Sequence, residues 1–248
     1  MKKILPSLQV DPQKAKLLSL SLWGQEKAKT FTSEEFERIA SGDGKPTGSL
    51  TYEVDHGFHL VLNDLAETAF LRQITSTGFA LRIRGQTKAV PYIKSWAAVP
   101  APYYPDFILY TYEHQIAFIE IKSILGMCQD ENIAKFNYLY AYCSAHGYLC
   151  GFFDSELYSV SDYRNLPEQE DPAIVASFYR TLESLGGFNN AALDALCQSF
   201  HKRKPHEIRR LVSSLVLVDP ELSNRYCHDS PYLLNAVKVP NALPFKTF

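Results

Sequence analysis

Three ionisable residues stand at the ends of two neighbouring apolar segments. Asp106 directly precedes the segment FILYTY, and Glu120 and Lys122 lie at the end of the segment IAFIEIK. Removing a charged group from water costs roughly several kcal/mol unless a partner compensates it. Three charges at the edge of an apolar strand pair therefore need a partner, and they are the first candidates for chemistry.

Strand periodicity predicts how these side chains are arranged. Side chains two residues apart share a face of a strand, so Glu120 and Lys122 point one way while Ile119 and Ile121 point into the opposite layer. A hairpin that returns to Asp106 brings a second carboxylate near Glu120. Two carboxylates make a hard oxygen site suited to Mg²⁺ or Mn²⁺. The backbone carbonyl of Ile121 is a candidate for a further ligand.

The lysine adds a function that a cation alone does not supply. The Lys122 ammonium group can orient an attacking water and offset charge on a phosphate oxygen. The metal would lower the pKa of that water and stabilise the leaving oxygen of an in-line displacement. Two acids and a lysine in this arrangement meet the requirements of phosphodiester hydrolysis.

The segments around these residues predict a small mixed sheet flanked by helices, which is an α/β fold. Apolar spacing predicts a helix before the motif, and alternation predicts strands on both sides of Gly85. A helix ending at Gly147 and the buried strand YLCGFF follow the motif. The predicted elements are a helix over 60–74, strands within 79–93, 107–112 and 116–124, a helix over 130–147 and a strand over 148–153.

The chain divides into three predicted parts. Residues 1–50 form an N-terminal extension with a strand over 16–23 and a short helix that a capping box of Thr32 and Glu35 opens. Residues 51–166 form the core, and residues 167–248 form a helical C-terminal subdomain in which Pro172 and Pro205 begin helices.

The motif resembles the signature of the PD-(D/E)xK nuclease superfamily. Pro105-Asp106 is followed, after residues 107–119, by Glu120-Ile121-Lys122. The neighbourhood VPYIKSWAAVPAPYYPDFIL is similar to the nuclease domains of Type III restriction enzymes. The segment AKFNYLYAYCSAHGYLCGFF is similar to the endonuclease subunit of heteromeric transposases. The resemblance covers roughly residues 58–153.

The resemblance implies a restriction-endonuclease-like mixed sheet and a catalytic set of four residues. Asp106, Glu120 and the Ile121 carbonyl would hold Mg²⁺ or Mn²⁺, and Lys122 would orient the nucleophile. Many members add a glutamate from the preceding helix, for which Glu67 is the best match. Asp64 and Glu67 also have capping-box spacing, so a helix cap is an alternative role for Glu67, and Asp64 is an alternative ligand.

A basic run near the C-terminus is the strongest cluster of positive charge in the chain. The run HKRKPHEIRR spans a turn and the start of a helix, an arrangement with which helix-turn-helix proteins contact phosphates. A solvated helix face is the alternative. The candidates for DNA contact are Lys202, Arg203, Lys204, Arg209 and Arg210.

Composition excludes several other classes. The 248 residues are 46% hydrophobic and 21% charged, with a net charge of −2, so DNA contact needs a local patch. The five cysteines have no C-x-x-C spacing, which indicates free thiols in a reducing compartment. No apolar run approaches the roughly 18 residues of a membrane span. We expect a cytoplasmic protein without membrane association.

The sequence therefore predicts a Mg²⁺-dependent deoxyribonuclease. The chain has no P-loop and no evident recognition motif, so partner proteins of a transposition, restriction or phage-defence system are expected by family analogy. A double-strand cutter needs two active sites, which a homodimer or a paired partner would supply. The alternative is a catalytically silent nuclease-fold subunit that binds DNA or assists assembly.

Overall fold

A computed structural model gives the structure of the protein. It describes residues 12–42, 50–53, 59–62, 65–86, 88–92, 101–122, 130–160, 162, 166, 170–185, 190–200 and 202–218. The chain divides into two compact units. The sheet unit comprises Met1–Ile121 and Tyr138–Ser159, and the helical unit comprises Lys122–Asn137 and Val160–Phe248.

Helices and strands alternate in the first part of the chain. The helices are α1 (Pro12–Leu20), α2 (Ser33–Ala40), α3 (Leu65–Thr77) and α4 (Asp130–His146), with a short 3₁₀ helix at Gln25–Lys27. The strands are β1 (Leu50–Glu53), β2 (His59–Leu62), β3 (Ala80–Gly85), β4 (Val90–Tyr92), β5 (Ala101–Tyr103), β6 (Phe107–Thr111), β7 (Ile116–Ile121) and β8 (Leu149–Phe153). Helix α4 crosses the boundary between the two units.

A four-stranded mixed sheet forms the centre of the sheet unit. Its strand order is β3-β6-β7-β8, with antiparallel pairing of β3 with β6 and of β6 with β7. Strand β8 pairs parallel with β7, a connection that needs a crossover, and α4 lies between them in the chain. Strands β1 with β2 and β4 with β5 form two separate antiparallel pairs. The prediction of a mixed α/β fold is confirmed.

Both faces of the sheet are covered, which explains why β6, β7 and β8 are buried along their whole lengths. One face carries Phe107 and Ile119 and packs against Phe70 and Ile74 of α3. The rings of Phe70 and Phe107 stack with centroids 5.6 Å apart. The other face carries Phe118 and the residues two positions away from it.

The N-terminal segment differs from its prediction. The strand predicted over 16–23 is wrong, because residues 12–20 form α1. Ala15, Leu18 and Leu22 are buried in the core of the sheet unit, and their spacing of three and four residues is helical rather than alternating. The described residues 12–42 are thus part of the sheet unit.

Trp23 closes the outer edge of β8. Its amide donates to the Cys150 carbonyl at 2.8 Å, and the Cys150 amide donates to the Trp23 carbonyl at 3.1 Å. The Trp23 ring packs edge-on against Phe152 with centroids 4.8 Å apart. This contact pairs backbone groups at a sheet edge, where unpaired groups would invite association with another chain.

Helix α2 is fixed to β3 by one carboxylate between two arginines. The predicted capping box is confirmed, since Thr32 and Glu35 exchange hydrogen bonds. Glu37 then accepts from Arg82 at 2.7 Å and from Arg84 at 2.7 and 2.8 Å. These bonds join the helix to the outer strand of the sheet.

Besides its part of α4, the helical unit has three helices in its described part, and the first and third begin at the prolines that predict them. They are α5 (Pro172–Leu185), α6 (Asn190–Ser199) and α7 (Pro205–Val218). The Asp171 side chain accepts from the Ala173 amide at 2.8 Å and caps α5. Phe178, Leu196, Ile208 and Leu215 are buried within this unit. Across the described residues, every helix is too short or too polar to cross a membrane.

The ion pairs of Glu37 predict a pH-dependent stability. Burial acts to raise the pKa of Glu37, but hydrogen bonds from Arg82 and Arg84 outweigh it, and the pKa lies below its ordinary value of 4.5. A carboxylate with a lowered pKa stabilises the fold above its unfolded-state pKa and loses that contribution as pH falls through the folded value. We expect Glu37→Gln to cost about 1 kcal/mol of unfolding free energy at pH 7.

Urea denaturation at several pH values tests this expectation. The difference between wild type and Glu37→Gln should shrink as the pH falls below 4.5. Glu26→Gln, at an exposed position of the 3₁₀ helix, is the matched control and should have little effect at any pH. A Glu37→Gln difference that is independent of pH would show that charge pairing is not its cause.

Candidate active site

The pairing of β6 with β7 brings Asp106 and Glu120 to the same end of the hairpin. Phe107 pairs with Ile119, and Asp106 and Glu120 are the next residues beyond that pair on their respective strands. Asp106 is 8% exposed and Glu120 is 2% exposed. Two carboxylates are therefore buried at one edge of an apolar strand pair.

Hydrogen bonds hold each of these carboxylates. The amide of Ile121 donates to Oδ2 of Asp106 at 2.7 Å. The hydroxyl of Tyr103, at the end of β5, donates to Oε2 of Glu120. The backbone carbonyl of Asp106 also accepts from the Gln86 amide at 3.2 Å. The two acids are thus fixed by different strands.

Both acids act on Tyr103. Burial raises the pKa of the Tyr103 phenol well above its ordinary value, and the charges of Glu120 and Asp106 raise it further. The phenol therefore keeps its proton and stays a hydrogen-bond donor across the physiological range. The Tyr103 hydroxyl thus lies within the electrostatic influence of both carboxylates.

Apolar side chains adjoin Glu120. It pairs with Phe152 across the parallel ladder, and Phe118, two residues before it on the same face of β7, is fully buried. Like charges that lie close together in such surroundings destabilise each other. A divalent cation between them would offset both charges, and Mg²⁺ is commonly held by one or two protein carboxylates with water in its remaining positions. The donor set of Asp106 and Glu120 fits such an ion.

The predicted third carboxylate, Glu67, belongs to helix α3. Glu67 is buried in the first turn of α3, and α3 packs on the sheet face that carries Ile119 and Ile121. Glu120 belongs to the opposite face. Within the described ranges, no group of three or more His, Cys, Asp and Glu side chains is arranged to hold a metal ion. Asp64 lies outside the described residues.

Two predicted roles stay predictions. Lys122 directly follows β7, two residues beyond Glu120, and is half-buried. Its role in orienting water stays a prediction. The Ile121 amide contacts Asp106, whereas the assignment of the Ile121 carbonyl as a metal ligand remains a prediction.

The basic run is less exposed than the sequence suggests. Lys202 and Lys204 are exposed. The Arg203 guanidinium donates bidentate hydrogen bonds to the two carboxylate oxygens of Glu170, at 3.0 and 2.7 Å. Arg210, on α7, is only 7% exposed. Its role in DNA contact stays a prediction.

The structure does not describe two residues of the basic run in full. Arg209 is in α7, but its side chain is outside the described part of the structure. His201 is also outside it. Among the predicted DNA contacts in the described part of the chain, Lys202 and Lys204 are the exposed residues.

Sequence reasoning missed Tyr103. The residue belongs to β5, which pairs with β4 rather than with the central sheet. Its contact with Glu120 joins residues seventeen positions apart, on strands that do not pair with each other. A period-2 pattern reports which face a side chain occupies, but it does not report a contact between separate strand pairs.

Comparisons with known proteins add no family assignment. No family model, curated protein or solved structure matches the chain.

The buried acid pair predicts that a neutral replacement stabilises the metal-free protein. Glu120→Gln removes one of two buried like charges and keeps an oxygen that accepts from Tyr103. We expect the free energy of unfolding without divalent cations to rise by roughly 0.5–2 kcal/mol, as measured by urea denaturation in EDTA.

The exposed Glu113, in the turn of the same hairpin, supplies a matched control. Its amide replacement keeps an acceptor for the Ser19 hydroxyl, which bonds Oε2 of Glu113 at 3.0 Å. Glu113→Gln should change stability little. A loss of stability in Glu120→Gln would contradict the idea that the buried charges repel each other.

Proposed function

We propose that the protein is a metal-dependent deoxyribonuclease of the PD-(D/E)xK superfamily. The observation that carries this proposal is the pair of buried carboxylates, Asp106 and Glu120, at one end of the β6–β7 hairpin. The order α3-β3-β6-β7-α4-β8, with two antiparallel pairings followed by a parallel one, supports it. The restriction-endonuclease-like core that the resemblance implies is likewise a mixed sheet with a helix before and a helix after the motif strands.

Each residue has a specific task in this function. Asp106 and Glu120 would hold Mg²⁺ or Mn²⁺ through carboxylate oxygens, and the Ile121 carbonyl and Glu67 are the further ligands that the resemblance implies. The ion, when bound, supplies neutralisation of charge at the scissile phosphate. The Ile121 amide orients the Asp106 carboxylate. Lys122 donates a hydrogen bond that orients the attacking water and offsets charge on the phosphate.

The DNA contact would come partly from Lys202 and Lys204. Both lysines are exposed at the turn before α7, whereas Arg203 is paired with Glu170. Lysines at a turn supply point charges for the phosphate backbone without reading sequence. Protein partners of a transposition, restriction or phage-defence system would supply target choice.

A second function is a catalytically silent subunit that binds DNA or assists assembly. The observation that favours it is the absence, within the described residues, of a third carboxylate grouped with the pair. The two functions differ in one measurable respect, which is cleavage of DNA in the presence of a divalent cation.

Plasmid nicking distinguishes the two functions. We expect the wild type to nick supercoiled plasmid with Mn²⁺ or Mg²⁺ and not in EDTA. Asp106→Asn, Glu120→Gln and Lys122→Ala should each lower the rate on the order of 10²–10³-fold, the size of loss that follows removal of one group acting on the transition state. Glu113→Gln should retain wild-type activity.

Two outcomes would contradict a nuclease. Equal nicking by wild type and all three site variants would identify a contaminating activity. A wild type that binds DNA without cleaving it in either cation would favour the silent subunit.

The lysine pair predicts a change in the salt dependence of DNA binding. Each phosphate contact that is removed lowers the slope of log K against log salt by about 1. Lys202→Ala/Lys204→Ala should therefore weaken binding to all sequences and lower the slope by about 2. Fluorescence anisotropy with labelled duplexes at several salt concentrations measures both.

A double variant on α1 is the control for net charge. Lys14→Ala/Lys16→Ala removes the same two charges from exposed positions of the sheet unit. Its slope should match that of the wild type. Equal slopes in all three proteins would exclude the lysine pair from the DNA contact.

A further inference from the structure

Tyr103 contacts the acid pair, although the sequence pattern did not indicate it. It is 7% exposed, and its hydroxyl donates to Oε2 of Glu120. Glu120 is itself almost fully buried. A buried hydroxyl aimed at a buried carboxylate is a specific contact rather than a solvated surface pair.

The contact supplies something that strand geometry does not. Strand β7 fixes the backbone of Glu120, but the last torsion of a glutamate side chain is broad and only roughly two-fold. A hydrogen bond to one oxygen fixes the rotation of the carboxylate plane. The Tyr103 hydroxyl therefore determines how Glu120 presents its oxygens toward the side on which Asp106 lies.

We propose that Tyr103 is a positioning residue, which orients the Glu120 carboxylate for a divalent cation shared with Asp106. This inference depends on the metal-dependent function proposed above and adds one further residue to its site. Groups that hydrogen-bond a metal-binding carboxylate orient it, and their loss typically weakens metal affinity or activity by about 10–100-fold. Tyr103 would act through Glu120 and would not contact the DNA.

Tyr110 offers a matched control. It is a buried tyrosine on β6, and its hydroxyl bonds the Phe31 carbonyl at 2.8 Å and Nδ1 of His114 at 2.9 Å. Tyr110→Phe removes the same atom from a similar environment but leaves the acid pair unchanged. Any effect that is common to both variants is therefore structural.

The experiment measures binding of Mn²⁺ to the full chain by electron paramagnetic resonance, without DNA. The proteins compared are wild type, Tyr103→Phe, Tyr110→Phe and Glu120→Gln, each checked for folding by circular dichroism. We expect Tyr103→Phe to raise the Kd for Mn²⁺ about 10–100-fold. Tyr110→Phe should stay within about threefold of the wild type, and Glu120→Gln should lose most of the affinity.

A second readout follows the phenol itself. Mn²⁺ changes the charge that the Tyr103 hydroxyl faces, so it should perturb the near-ultraviolet tyrosine absorption of the wild type and of Tyr110→Phe. The perturbation should be absent in Tyr103→Phe and in Glu120→Gln. If Tyr103→Phe does not fold, the spectral change still tests the proposal, because Mn²⁺ binding to wild type and to Tyr110→Phe without any change in tyrosine absorption would overturn it.

The outcomes separate this inference from the proposed function. If wild type binds Mn²⁺ and Glu120→Gln does not, but Tyr103→Phe binds as well as Tyr110→Phe, the positioning role is overturned and the metal site stands. If the wild type binds no Mn²⁺, both the metal site and the role of Tyr103 are overturned. Weakening in Tyr103→Phe alone, with loss of its spectral change, supports the inference.

Discussion

The burial of two like charges at one end of a β-hairpin is the constraint on which the candidate site depends. Asp106 and Glu120 are brought together because the β6–β7 register pairs Phe107 with Ile119. A shift of one residue would move Glu120 to the opposite face, against the side chains of α3. The apolar residues that fix this register therefore also fix the acid pair, and fold and site share one cause.

The structure limits the cost of these charges with hydrogen-bond donors. The Ile121 amide bonds Asp106, and the Tyr103 hydroxyl bonds Glu120. Both of these donors are neutral groups, and each fixes the orientation of the carboxylate oxygen that it bonds.

Sequence patterns predicted the sheet well because its strands obey the rules on which those patterns rest. Strands β6, β7 and β8 are continuous apolar runs buried on both faces, and the chain changes direction near Gly85 and Gly147. The strand prediction over 16–23 was wrong because leucines alternate with serines within residues 17–22, which is the pattern of a half-buried strand. Only the sheet shows that Ala15, Leu18 and Leu22 are the buried set.

The sequence predicted those residues of the candidate site whose placement depends on their position along one strand. It did not predict those whose placement depends on contacts between separate helices and strands. Spacing alone identified Asp106 and Glu120. It did not identify Tyr103, because β5 lies outside the central sheet. It also did not show that Arg210 is buried, because a cluster of basic residues in the sequence does not indicate which side of α7 faces inward. The pairing of Arg203 with Glu170 likewise required tertiary structure.

The contact of Tyr103 with Glu120 also has a consequence for the strand pair that carries it. Strands β4 and β5 form a two-stranded ribbon, and isolated two-stranded ribbons are marginally stable in water. The ribbon therefore gains order from side-chain contacts with the central sheet, and the bond to Glu120 is one of them. A change in the charge of Glu120 would then alter both the orientation of the carboxylate and the anchoring of the ribbon, which couples the state of the acid pair to the backbone that leads into Asp106.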